Sequence, residues 1–167
     1  DQHKFYLNEA DHWFTIGHEN GHSLGPNSGT DVLGKYKSII EENKADMVSL
    51  SMLDALVKLG MYSETQKKQI ITTFMVSSIL KAKPNMSQAH RVRTVMQMNH
   101  FIKEGAVSLK DSKIHIDYDK AVPAARKMLE KIIDVQISNS FEKGEKYVLD
   151  YFNWTNELEA MATKMRK

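Results

Sequence analysis

The sequence predicts a mainly α fold with one small β-hairpin, and three observations carry that expectation. Ile39, Ile40, Ala45, Val48, Leu50, Leu53 and Leu56 recur at helical spacing. Ser63 and Gln66 stand three residues apart ahead of an apolar run, the pattern of a capping box. Val107 to Leu109 and Ile114 to Ile116 alternate apolar and polar residues around Lys110-Asp111-Ser112, the pattern of a tight hairpin.

Taken in order, the first helix holds His18 to His22 and is expected to end near Gly25-Pro26, because glycine terminates helices and proline cannot continue them. Pro26 to Gly34 reads as a turn-rich connection. A second helix runs from about Tyr36 to Leu59 and stops at Gly60. Ser63 opens a third, which lasts to about Lys81 before Pro84. Ser87 begins a fourth, through His90 and the Met96, Met98, Phe101 stripe to Gly105; flexible methionines at this spacing read as core filling. After the hairpin, Asp119 is placed to cap a fifth helix to about Ile137, with Pro123 tolerable only near its first turn. A sixth, from Ser140 or Glu142 to Met165, carries Tyr147, Leu149, Tyr151, Phe152 and Trp154. The 167 residues suit a single domain with a proper core.

Bulk properties exclude more than they specify. A formal charge of +2 without a single-sign block favours neither nucleic acid nor an anionic membrane as partner. No apolar run reaches the length of a membrane span. The absence of cysteine excludes disulfides and thiolate metal sites. The start, Asp1-Gln2-His3-Lys4, has no initiator methionine and no signal-peptide pattern, which says nothing of the targeting of a parent protein; the location is left open, with the cytoplasm only weakly favoured.

The chemistry concentrates in His18-Glu19-Asn20-Gly21-His22, a complete H-E-x-x-H pentad. On a helix, positions i and i+4 stack on one face, so His18 and His22 can offer two imidazole nitrogens to one metal ion. Glu19, one step round, can take a proton from a water at that metal. A catalytic zinc needs a third protein ligand. The extended metzincin motif fails, because Gly25 matches its glycine but Ser28 stands at its last histidine. The inverted H-x-x-E-H order is absent. A carboxylate from a second helix is the remaining solution. Glu42 and Asp46, at i and i+4, project from one face: one can bind the metal while the other holds a ligand histidine by its second ring nitrogen. Glu41 points about a quarter-turn away, toward the outer ligand shell or a substrate amino end. The competing reading makes Glu41, Glu42 and Asp46 a solvated helix face paired with Lys37 and Lys44. His12 lies nearly opposite His18 on the helix, and His3, His100 and His115 need no special role.

The pair His18-Glu19-Asn20-Gly21-His22 and Glu41-Glu42-Asn43-Lys44-Ala45-Asp46 resembles the dipeptidyl peptidase III family of zinc exopeptidases. Gly25-Pro26, Gln88-Ala89-His90-Arg91 and Glu104-Gly105-Ala106-Val107 fit it more softly, and the likeness covers the chain from about Phe14 to the last helix. The better-known eukaryotic members carry an extra residue between the histidines; this five-residue form resembles the bacterial and Nudix-linked branches. The resemblance implies a gluzincin-like helical catalytic lobe, one Zn²⁺ held by His18, His22 and Glu42, Glu19 as general base, and Glu41 and Asp46 behind the ligands. It implies a role for His90 in steadying the tetrahedral intermediate. The family's arginine one turn beyond that histidine has no match at that offset; Arg91 and Arg93 are the near candidates. It further implies a peptide substrate, release of dipeptides from N-termini, and a parent protein whose missing N-terminal lobe forms the other half of the cleft. The isolated chain is then expected to be weakly active or inactive. Two alternatives stand beside it: an inactive zinc-binding or structural helical module, which has no need of Glu19, and a gluzincin hydrolase with another substrate.

Overall fold

A computed structural model describes residues 2–26, 28–83, 85 and 87–166; Pro84, the expected stop after the third helix, lies outside them. Among the described residues the chain forms α1 (Asn8–His22), α2 (Lys37–Ser51), α3 (Leu53–Lys58), α4 (Glu64–Lys81), α5 (Ala89–Lys103), β1 (Val107–Lys110), β2 (Lys113–Ile116), α6 (Tyr118–Ile137), α7 (Phe141–Tyr151) and α8 (Asn156–Met165). Short 3-10 turns occupy His3–Phe5 and Thr30–Tyr36, the second overlapping the stretch from Pro26 to Gly34 expected to be turn-rich and running on to Tyr36. The fold is mainly α with one two-stranded antiparallel hairpin, as the sequence predicts. Among the described residues no helix is long and apolar enough to cross a membrane.

Local signals explain most boundaries. Ser63 Oγ accepts from the Gln66 amide at 3.1 Å while Gln66 Oε1 accepts from the Ser63 amide at 2.8 Å, which is the expected capping box on α4. In the hairpin Val107 pairs with Ile116 and Lys110 with Lys113. Asp111 and Ser112 between them both take positive φ (48° and 57°), the primed turn whose twist matches the strands. Ser140 caps α7 through the Lys143 amide.

Five boundaries differ from the sequence reading, each for a physical reason. α1 ends at His22, because the Ser23 and Leu24 amides bond three residues back and tighten the last turn. The long second helix breaks at Met52: Ser51 Oγ donates to the Val48 carbonyl, and the Ser51 carbonyl accepts from Arg126 Nε at 3.2 Å. Asp117, not Asp119, caps α6 by accepting from the Asp119 and Lys120 amides, which leaves Pro123 in the second turn. The last helix is two. Asn99 Nδ2 donates to the carbonyls of Tyr151 and Asn153, and Thr155 caps α8 by accepting from the Leu158 amide at 3.2 Å. The fourth helix begins at Ala89 rather than Ser87, whose hydroxyl is turned to Asn85.

α2 is the axis of the molecule. From Asn43 to Ser51 every residue is buried, with α1, α5 and α6 packed around it. A helix enclosed on all sides is ordinarily apolar. Here Asn43, Lys44, Asp46 and Ser49 are enclosed as well, so each must find its hydrogen bonds inside the protein. Phe14, Phe74 and Phe101 stack as an aromatic column, with centroids 5.0 and 6.0 Å apart, tying α1 to α4 and α5. Met96 and Met98 are fully buried beside Phe101, the core role expected of that stripe.

Candidate metal centre

Two glycines let α1 touch α2. A Cβ on Gly21 would lie 2.8 Å from both the Cα and the carbonyl oxygen of Ala45, and one on Gly17 would overlap the Ser49 hydroxyl. Gly17-x-x-x-Gly21 thus interleaves with His18-x-x-x-His22 on one helix, and Ala45 and Ser49 form the matching small stripe on α2. Ser49 Oγ seals the contact by donating to the Phe14 carbonyl at 2.8 Å. Backbone contact here brings the short imidazole arms of α1 within reach of carboxylates on α2.

His18 Nδ1 lies 2.7 Å from Asp46 Oδ1, and His22 Nδ1 lies 3.2 Å from Glu41 Oε1. An ionised carboxylate only accepts, so both Nδ1 atoms carry the proton, and in the neutral rings both Nε2 atoms present lone pairs. These two Nε2 atoms face each other at 3.1 Å. Glu42 closes the triangle, its oxygens 3.7 Å from His18 Nε2 and 3.9 Å from His22 Nε2. Two imidazole lone pairs and a carboxylate at this separation repel unless a proton or a cation stands among them. The nitrogen spacing is close to the roughly 3.3 Å edge of a tetrahedron with zinc–nitrogen bonds of about 2.0–2.1 Å. His18, His22 and Glu42 therefore form a cluster able to chelate a metal ion, with neutral imidazole and carboxylate donors of the kind zinc takes.

The groups behind the triangle are tightly held. Asp46, 2% exposed, accepts from His18 and from Gln97 Nε2 at 2.8 Å and forms an ion pair with Arg93, whose Nε lies 3.2 Å from Oδ2. Glu41 accepts from His22, from Lys44 Nζ at 2.8 Å and from Gln136 Nε2 at 3.0 Å. Lys44, itself buried, also donates to the Leu24 carbonyl. These contacts exclude the solvated-face reading of the α2 acids. The Asp46 hydrogen bond, working against burial, holds the His18 imidazole above its ordinary value. Burial pushes the Glu41 carboxyl up, but hydrogen bonds from Lys44, His22 and Gln136 outweigh it and hold the group below the usual carboxylate value.

Glu19 projects to solvent beside His18 and makes no hydrogen bond or ion pair with the described residues. His90, on the first turn of α5 and 75% exposed, places Nδ1 at 3.9 Å from Glu42 Oε2. Of the two arginines near it, Arg93 reaches the site and pairs with Glu42 and Asp46, whereas Arg91 donates to Gln88 and the Lys81 carbonyl. His12 is exposed on α1, His3 lies in the first 3-10 turn, His115 sits in the hairpin opposite Ser108, and the buried His100 donates from Nε2 to the Ala124 carbonyl at 2.8 Å. Sequence reasoning missed Gln97, Gln136 and Asn43. The i, i+4 spacing of Arg93 and Gln97 was a signal for one face of α5; nothing local marked Gln136, which arrives from a helix distant in sequence.

The helical fold brings together a His-His-Glu cluster able to hold a metal ion. No family model matches the chain. It is similar over its full length to solved structures of dipeptidyl peptidase III. The enzyme from Caldithrix abyssi superposes with a TM-score of 0.88 at 20% identity, covering 99% of this chain and 34% of that one. The enzyme from Corallococcus sp. strain EGB gives 0.89 at 22% identity, covering 99% and 33%. In sequence, the chain is 27% identical over 133 residues to Nudix hydrolase 3 of Arabidopsis thaliana, which is 73% of this chain and 17% of that protein. The chain therefore spans about a third of the length of the matched structures.

Proposed function

We propose that this chain is the metal-bearing helical lobe, a single domain over residues 1–167, of a zinc-dependent peptidase, and that the whole protein releases dipeptides from peptide N-termini. The convergence of His18 Nε2, His22 Nε2 and Glu42 at 3.1–3.9 Å, with each histidine tied to a carboxylate behind it, carries this reading. His18, His22 and Glu42 would hold the zinc, which would supply Lewis acidity toward a water and a substrate carbonyl. A zinc ion held by His18, His22 and Glu42 would have three protein ligands, the number that catalytic rather than structural zinc sites supply. Glu19, exposed and unengaged, takes the proton of the attacking water and returns it to the leaving amine. His90 opens toward the same side of Glu42 and donates to the oxygen on which charge develops. Asp46 and Glu41 hold His18 and His22 with Nε2 free.

A peptide bound across this open face needs a second wall, which the remainder of a longer protein supplies; the coverage of about a third of the matched structures supports that arrangement. The test is turnover of dipeptidyl- and aminoacyl-coumarin substrates by the full-length protein, with zinc content measured alongside. Release from the dipeptidyl series, lost on chelation, supports the proposal. Zinc-loaded protein that cleaves only the aminoacyl series assigns a different gluzincin specificity, and zinc-loaded protein that cleaves neither leaves a binding module.

A further inference from the structure

Each carboxylate behind the metal triangle divides its two oxygens in the same way. Asp46 gives Oδ1 to His18 and Oδ2 to the Gln97 amide; Glu41 gives Oε1 to His22 and Oε2 to the Gln136 amide. Gln97 comes from α5 and Gln136 from α6, both of which pack on α2. Both are enclosed, at 1% and 3% exposure, where a side-chain amide is retained only if its hydrogen bonds are made. Gln136 fits that rule poorly on its own account. Its Oε1 is buried without a partner, and the bond to Glu41 is the one its side chain makes among the described residues. Gln97 spends its second N–H on Asn43 Oδ1 at 3.0 Å, and Asn43 in turn donates to the Tyr147 hydroxyl at 3.1 Å, so the Asp46 arm is braced as far as α7.

We propose that Gln97 and Gln136 are positioning residues for the metal: they fix the rotation of Asp46 and Glu41, and through them the ring orientation of His18 and His22. A carboxylate held by one oxygen alone can swing about its last bond; a donor on the second oxygen locks the plane and keeps the first aimed at Nδ1–H. An amide does this without adding charge. The cations Arg93 and Lys44 neutralise the same carboxylates. The metal geometry then depends on the seating of α5 and α6 against α2 as well as on α1.

This rests on the metal reading above, and the experiment separates the two. In the full-length protein, Gln97→Met and Gln136→Met keep side-chain volume and remove the donor. Thr72→Val removes a comparably buried hydrogen bond, from Thr72 to the Tyr118 hydroxyl, away from the site. Zinc affinity is measured by chelator competition and ligand geometry by the visible absorption of the Co²⁺-substituted protein. Each glutamine variant is expected to bind zinc about ten-fold more weakly, the lower end for an outer-sphere partner, with an altered Co²⁺ spectrum. Thr72→Val is expected to lower the unfolding temperature while leaving both readouts native. Gln136→Met, which breaks a single hydrogen bond, carries the test alone if Gln97→Met does not fold. Native affinity and spectrum in the glutamine variants overturn the positioning role and leave the metal site standing. Failure of the unaltered protein to bind zinc overturns both.

Discussion

Glu19 and Glu42 are both acids close to His18, yet their surroundings give them opposite work. Glu42 lies among His18, His22 and His90 and pairs with the Arg93 guanidinium, so its loss strands that cation and opens the triangle. Glu19 has no such partners, and its carboxylate is free to accept a proton and release it. Glu19→Gln in the full-length protein is therefore expected to lower peptide turnover by about 10²–10⁴-fold, the usual weight of a general base, with zinc content unchanged. A fully active Glu19→Gln enzyme removes Glu19 from the mechanism. Glu42→Ala should act on the metal first: after dialysis its zinc content should fall well below that of the native protein. Retention of zinc at the native level would show that Glu42 is not a ligand.

Between elements, the decisive contact is α1 on α2. Gly21→Ala drives a methyl group into the Ala45 backbone, which cannot rotate away, so α1 must shift outward. Overpacking of this kind costs about 1–3 kcal/mol. The same shift lengthens the His18–Asp46 and His22–Glu41 bonds, so the Gly21→Ala protein should lose both unfolding temperature and zinc affinity. A variant that loses stability with native affinity would separate the helix contact from the site. The sequence made part of this legible. His18, Glu19, His22 and the α2 acids stand at spacings fixed by helix geometry, and the capping box and hairpin are likewise local. What it hid is non-local. The breaks at Met52 and at 152–155 arise where Arg126 and Asn99 take carbonyls from distant helices, and Gln136 meets Glu41 only after α6 folds back onto α2. Asp117 was missed for a smaller reason, since two aspartates flank Tyr118 and either could start a helix.

Across the whole molecule, the buried polar groups around α2 make stability depend on what is bound and on pH. Zinc that binds the native chain and not the unfolded one stabilises it by about 2.7 kcal/mol at a free concentration one hundred times Kd, so chelation should lower the unfolding temperature and added zinc should restore it. The pH dependence has a separate source in His100. Burial holds this imidazole below its ordinary value of 6.5, against the hydrogen bond to Ala124, and its Nδ1 is buried without a partner. The unfolded chain then binds the proton more readily than the folded one. The stability that neutral His100 contributes is complete above about pH 6.5 and is lost as pH falls from there through the depressed folded value, at a slope no steeper than about 1.4 kcal/mol per pH unit. His18 acts in the opposite sense, since its raised pKa adds stability in acid that is lost as pH rises through the folded value. A single acid titration mixes the two, and the informative quantity is the difference between native protein and His100→Gln, which keeps a donor for the Ala124 carbonyl and cannot titrate. Urea unfolding of the metal-free proteins at pH 7.5 and pH 5 should show His100→Gln losing less stability on acidification than the native chain. Equal losses would show that His100 does not couple folding to protons.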